Sequence, residues 1–300
     1  MIKVENLSKK FGDFEAIKNL NLTIKEGEFY CLLGPNGAGK TTTLKILVGL
    51  MKPTKGKIYI EGLDLEKDYL KIKKIIGFIP DTPFLYENLT PYEFLEFVGS
   101  VYGIDRKKIK EKVEYYFDIF RLNEYRNSLI KELSHGTRQK IVYISNFLHS
   151  PLVYFIDEPL VGLDPYSIHL IKRLLRDEVK KGKTILMCTH ILSIAEELAD
   201  RVGILNEGRL IAEEKPERLK EFLKSKSLEE AFLKITEDEK NNIGSADFFK
   251  KWSAFFKKEQ SSKFLFRSFS CYFLYRRNIS GHMERFSIYS FLREPGNSYY

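Results

Sequence analysis

The stretch FYCLLGPNGAGKTTTLKILVG, residues 29–49, decides the fold. Phe29–Leu33 is an apolar run of strand length that stops at Gly34. Gly34 to Thr41 then reads GPNGAGKT, a complete phosphate-loop pattern, and a helical pattern follows Gly39. The glycines let the backbone curl so that successive N–H groups point inward around phosphate oxygens. The helix adds the positive end of its dipole. Lys40 supplies a compact charge for the outer phosphates, and Thr41 a hydroxyl for Mg²⁺. The candidate cradle is therefore Gly34, Pro35, Asn36, Gly37, Ala38, Gly39, Lys40 and Thr41, with Thr42 adjoining. The competing reading is a glycine-rich loop without a ligand; strand before and helix after argue against it.

Outward from this point, short apolar runs alternate with helical patterns. Strands are expected at Ile2 to Leu7, Ala16 to Ile24, Lys57 to Ile60, Ile75 to Ile79, Leu152 to Ile156, Thr184 to Cys188 and Val202 to Asn206. Helical patterns follow Pro91, Asp105, Gly136, Pro165 and Ile191. The rhythm predicts an α/β fold, a phosphate-loop NTPase core with a mainly parallel sheet. An antiparallel β region precedes it, and residues of about 91–150, with three helical patterns and no strand, form an inserted helical subdomain.

A second acidic signal lies at a strand end. The apolar run of residues 152–156 ends in Asp157-Glu158-Pro159. Asp157 is placed to hold Mg²⁺ and Glu158 to activate a water. Alone, such a pair reads equally well as a helix N-cap; beside a phosphate loop, the catalytic reading prevails.

Further motifs carry a family resemblance. LSHGTRQK (133–140) resembles the ABC signature, GLDP (162–165) the family's D-loop, and Thr189-His190 its switch histidine. Phe11-Gly12 occupies the place of the aromatic that stacks on adenine, although an aromatic near the N-terminus is commonly core. Residues 1–240 thus resemble an ABC ATP-binding domain, and SLEEAFLKIT (227–236) resembles the end of export-type cassettes with a separate permease. The resemblance implies ATP and Mg²⁺ as ligands and a head-to-tail dimer with a second cassette. It implies Glu158 and His190 as catalytic residues, Ser134 and the Gly136 backbone reaching the γ-phosphate across the dimer, and Asp164 among the nucleotide-binding residues. It also implies a peripheral place on the cytoplasmic side of a membrane, attached to a permease. Two positions depart from the pattern. His135 stands where the signature has its first glycine, and Asp81 where the family has Gln or Glu touching Mg²⁺ or the water. Asp81 also reads as a local turn residue. Phe84, Leu85, Tyr86, Tyr92 and Phe94 read as a groove for a permease helix or as subdomain core.

Composition narrows the partners. The chain has 300 residues, 43% hydrophobic and 30% charged, with a net charge of +8. Residues 241–300 hold ten Lys or Arg against four Asp or Glu, which leaves only +2 for residues 1–240. The nearly neutral main domain argues against nucleic acid as a partner. The last sixty residues hold sixteen aromatics and no clear period. They read as a poorly ordered tail: an arm for nucleic acid or lipid headgroups, or an extension without function. Cys31 and Cys188 lie in apolar runs and read as reduced core residues. MIKVENLSKK does not read as a signal peptide, and no run has the length of a spanning helix. The runner-up is a soluble ABC ATPase acting on ribosomes or DNA. Such proteins join two cassettes or insert a coiled coil, and neither is legible here.

Overall fold

The computed structural model describes residues 1–240 apart from Pro159 and Val161, with side chains described to residue 236. The expected basic tail, residues 241–300, lies outside the described residues.

The first sheet is antiparallel. β1 (Ile2–Phe11) pairs with β2 (Phe14–Ile24) and with β4 (Lys55–Ile60), which carries the short β5 (Leu63–Asp64). Ile2, Val4 and Leu7 are buried, and Leu20, Leu22 and Ile24 oppose them. One face of the sheet is therefore core.

The second sheet runs β10-β9-β3-β8-β7-β6. Its strands are β3 (Phe29–Leu33), β6 (Ile76–Ile79), β7 (Val153–Asp157), β8 (Thr184–Thr189), β9 (Arg201–Asn206) and β10 (Arg209–Glu214). All neighbouring pairs are parallel except β10 with β9. Every residue of β3, β7 and β8 is buried, as strands covered on both faces require. α1 (Lys40–Leu47) packs against β7 and β8. Leu44 and Leu47 join a cluster that also holds Leu32, Phe155 and Leu186 from the parallel sheet and Ile2, Leu22 and Ile60 from the antiparallel one. One hydrophobic core thus holds the two sheets together.

The inserted helices are α3 (Pro91–Val101), α4 (Arg106–Phe120) and α5 (His135–His149), preceded by the short α2 (Tyr69–Ile75). Thr90 and Glu93 form a reciprocal capping box at the start of α3, with Pro91 in the first turn. Asp105 caps α4, whose buried Ile109, Val113, Phe117 and Phe120 form one stripe. α5 returns to the parallel sheet, where Asn146 Nδ2 donates to Phe78 O at 3.2 Å. After β7, α6 (Pro165–Lys180), α7 (Leu192–Leu198), α8 (Pro216–Leu223) and α9 (Leu228–Lys240) complete the described chain. Cys31 and Cys188 are both free and buried.

The strand expected at Ile75–Ile79 begins one residue later, because α2 occupies Ile75. Among the described residues, five strands and α-helices are additional to those expected: β5, α2, β10, α8 and α9. The first two are short, and α2 buries only Ile72. β10 ends in two buried glutamates, Glu213 and Glu214, whose charges mask its strand pattern.

Candidate active site

β3 delivers the chain to the phosphate loop, and α1 carries it away. Two glycines there are fixed by close approach. A Cβ on Gly34 would lie 2.2 Å from Leu205 O. Gly39, at φ +105°, would place a Cβ 2.7 Å from Ala16 O. Pro35, Asn36 and Gly37 form an exposed tip, with Ala38 buried behind it. Ala38 O accepts from Gly208 N at 3.0 Å, which ties the loop to the β9–β10 turn. Lys40 is 6% exposed and folds back over its own loop, donating to Gly34 O at 2.7 Å and to Pro35 O at 3.1 Å.

The acidic strand end lies against this loop. The Thr41 hydroxyl is near enough to Asp157 to favour its charged form, and Thr42 beside it is half-buried. Burial pushes the Asp157 carboxyl above its ordinary range, and the charges of Asp81 and Glu158 add to that. The Thr41 hydroxyl and the Lys40 charge oppose the shift without cancelling it. Asp157 is 2% exposed, and its Oδ1 has no hydrogen-bond partner among the described residues. An orphaned buried acceptor costs about 1–3 kcal/mol, and a cation at this point would satisfy it. The donors, a hydroxyl and a carboxylate, are all oxygen, so they fit Mg²⁺. Among the described residues no group of three or more His, Cys, Asp or Glu is placed to hold a metal by itself. That suits an ion completed by phosphate oxygens and water.

Glu158 follows with φ +42°, a strained conformation for a residue with a side chain. Its amide donates to Cys188 O at 2.9 Å, which holds the turn to β8. One carboxylate oxygen, Oε1, lies 2.9 Å from His190 Nδ1 and 4.0 Å from Lys40 Nζ. The other accepts from Thr189 Oγ1 at 3.1 Å and from His190 N at 3.4 Å. The side chain of His190 is 52% exposed, which rules out the reading of a core histidine. Thr189 emerges as a holder of Glu158, a role the sequence reading gave it no share in. Its signal was positional: a hydroxyl one residue beyond Cys188, which pairs with Asp157 across β7 and β8.

Asp81 is exposed, and its Oδ1 accepts from Thr82 N at 2.8 Å, a local bond. Its charge is nevertheless felt at Asp157. Phe11 is 46% exposed at the end of β1, with the Lys9 ammonium 5.0 Å from its ring centroid. The ring is therefore not core, and the Lys9 ammonium lies over one of its faces.

Ser134, Gly136 and Asp164 gather in a second cluster. Ser134 caps α5, accepting from Thr137 N at 3.2 Å. A Cβ on Gly136 would lie 2.5 Å from Gly162 O. Asp164 caps α6 through Ser167 N at 2.9 Å and pairs with Lys140 Nζ at 2.9 Å. Burial raises its carboxyl, but the Ser167 and Lys140 bonds outweigh this and hold it well below the usual carboxylate range.

The aromatic segment after Asp81 splits in two. Phe94 is buried core. Phe84 is 81% exposed, and exposed Tyr86 meets Phe97 edge-on at 5.6 Å. The groove on this side of the molecule, about 280 Å³, has other walls, among them Val48, Leu50, Phe78, Val98, Tyr102 and His149.

Known proteins resemble this chain in sequence and fold. The family described as ABC transporter matches residues 17–161. The probable multidrug ABC transporter ATP-binding protein YbhF of Escherichia coli is 35% identical over 79% of this chain, which spans 42% of that relative's length. The SkfA peptide export ATP-binding protein SkfE of Bacillus subtilis is 37% identical over 70% of this chain and 87% of its own length. Among solved structures, an ATP-binding subunit of an ABC transporter superposes with a TM-score of 0.75 and 33% identity, covering 79% of this chain and 99% of its own. A dimeric ATP-binding cassette in a post-hydrolysis state, bound to ADP and Pi, gives a TM-score of 0.66 and 30% identity over 72% of this chain and 98% of its own. With its phosphate loop, signature and acidic strand end in this order, the chain belongs to the ABC transporter ATP-binding proteins.

Proposed function

We propose that this chain hydrolyses ATP with Mg²⁺ and powers export through a separate membrane permease. The observation that carries the proposal is the convergence of Lys40, Thr41, Asp157, Glu158 and His190 at the end of the parallel sheet. Lys40 exchanges its carbonyl partners for the outer phosphates. Thr41 and Asp157 would hold Mg²⁺, with the Asp81 charge acting on Asp157; the ion would supply neutralisation of phosphate charge. Glu158, oriented by Thr189 and His190, accepts a proton from water as its oxygen bonds to the γ-phosphorus. The bond to the bridging oxygen breaks, giving ADP and phosphate. Phe11 stacks on adenine.

In this reading the site is completed by a second cassette, identical or not. Ser134, the Gly136 backbone and the N-terminus of α5 reach the partner's γ-phosphate, and Asp164 lies beside them. The export direction rests on the residues 227–236 and on similarity to a peptide export protein. Among the described residues no helix is long and apolar enough to cross a membrane. A permease helix would seat in the groove that Leu50 and Tyr102 flank, and the chain would sit peripherally on the cytoplasmic side.

A tagged pull-down from detergent-solubilised membranes, run beside ribosome co-sedimentation at moderate salt, tests this assignment. A polytopic membrane protein is expected in the pull-down. Stable ribosome or DNA association by a chain lacking residues 241–300, with no membrane partner, would favour a soluble ABC ATPase instead. We also place the domain boundary near residue 240. Deleting residues 241–300 should leave turnover within about twofold, since all the site residues precede them. Loss of turnover in a truncated chain with a normal circular dichroism spectrum would move that boundary.

A further inference from the structure

We propose that His135 is a positioning residue whose imidazole couples the first turn of α5 to the D-loop. The proposal rests on the reading of that turn as the partner's phosphate site. In the resemblance, glycine stands at this position. Here the first residue of α5 is an exposed histidine. Its ring edge lies beside Gly162: a Cβ on Gly162 would be only 2.9 Å from His135 Cδ2. Gly162 is at φ +79°, so the loop turns sharply beneath the ring. Gly136 presses on the same residue, its absent Cβ 2.5 Å from Gly162 O. Two residues on, Lys140 from the second turn of α5 grips Asp164 at 2.9 Å, and Lys140 is largely buried. The 162–164 segment is therefore held at both ends by α5.

The ring's contribution is steric. Close-packed groups move together, whereas a gap of 0.5–1 Å forfeits about a quarter to a half of the contact energy. Glycine at position 135 would open such a gap, leaving Gly162 restrained by Gly136 and not by the ring. With the imidazole in place, a shift of α5 toward phosphate carries the loop and the cap of α6 with it. His135 thus acts through Gly162 and is not a catalytic residue.

The test uses the full chain and three variants, His135→Gly, His135→Phe and His135→Asn. Steady-state turnover of Mg-ATP and the backbone amide resonance of Gly162 in the nucleotide-free protein are the readouts. For His135→Gly we expect kcat to fall about tenfold, KM to stay within about twofold, and the Gly162 resonance to shift or broaden. The flat ring of His135→Phe should restore kcat to within about twofold and sharpen the resonance; His135→Asn should resemble His135→Gly. If the glycine variant does not fold by circular dichroism, His135→Ala replaces it. Wild-type kcat in the glycine variant would overturn the proposal. So would rescue by asparagine and not by phenylalanine, which would make the imidazole a hydrogen-bonding group. Failure of the ATPase reading itself would appear separately, as turnover that survives Lys40→Ala; the Gly162 resonance would still test the contact.

Discussion

Lys40→Ala is expected to lower ATP affinity or turnover by at least about 100-fold, on the scale of removing one preorganised donor to a developing anion, roughly 3 kcal/mol. The ammonium is nearly buried, spans its loop through Gly34 O and Pro35 O, and stands 4.0 Å from Glu158. No other ammonium contact to these loop carbonyls is seen among the described residues. Alanine would leave the outer phosphates facing Glu158 without the Lys40 ammonium beside it. Calorimetry of ATP binding, together with phosphate release, reads the effect. Normal values for both would remove the phosphate-loop assignment.

Glu158→Gln should bind ATP within about threefold of the native chain while turnover falls about 100- to 1,000-fold, the range for loss of a general base. The amide keeps the shape of the carboxylate and remains within reach of Thr189 and His190, but cannot accept the water proton. With Lys40, Thr41 and Asp157 intact, nucleotide should still assemble the site. Trapped before hydrolysis, the variant should elute as a dimer on size exclusion in Mg-ATP and as a monomer without it. A variant that hydrolyses at the native rate would take the role away from Glu158.

The cradle was legible because its signals are local. Phe29–Leu33, the glycines and Lys40 all lie within a dozen residues, and β3, the loop and α1 fall where the pattern places them. Asp157 and Glu158 were legible from the abrupt end of an apolar strand. What escaped depends on contacts between distant segments. β10 was hidden because Glu213 and Glu214 look like solvent-facing charges. Glu213 is tolerated inside because Tyr30 OH donates to it at 2.9 Å and Arg201 pairs with it at 3.1 Å. Burial still pushes its carboxyl up, with Arg201 opposing. Thr189 was read only as the neighbour of His190, since its bond to Glu158 spans 31 residues. The resemblance gives Gly136 a role across the dimer; within the chain it also makes room for Gly162 O. The aromatics after Asp81 could not be divided into core and surface by type, because Phe94 and Phe84 differ only in what the fold brings against them.

The central claim is that two cassettes complete each site for hydrolysis of Mg-ATP. The most direct measurement is the initial rate of phosphate release by the purified full chain, taken over a wide range of protein concentration. The rate per chain should rise with concentration until the dimer saturates, and chelating Mg²⁺ should abolish it. A rate per chain that is already constant at the lowest concentrations, where the chain is shown by size exclusion to be monomeric, would contradict the account.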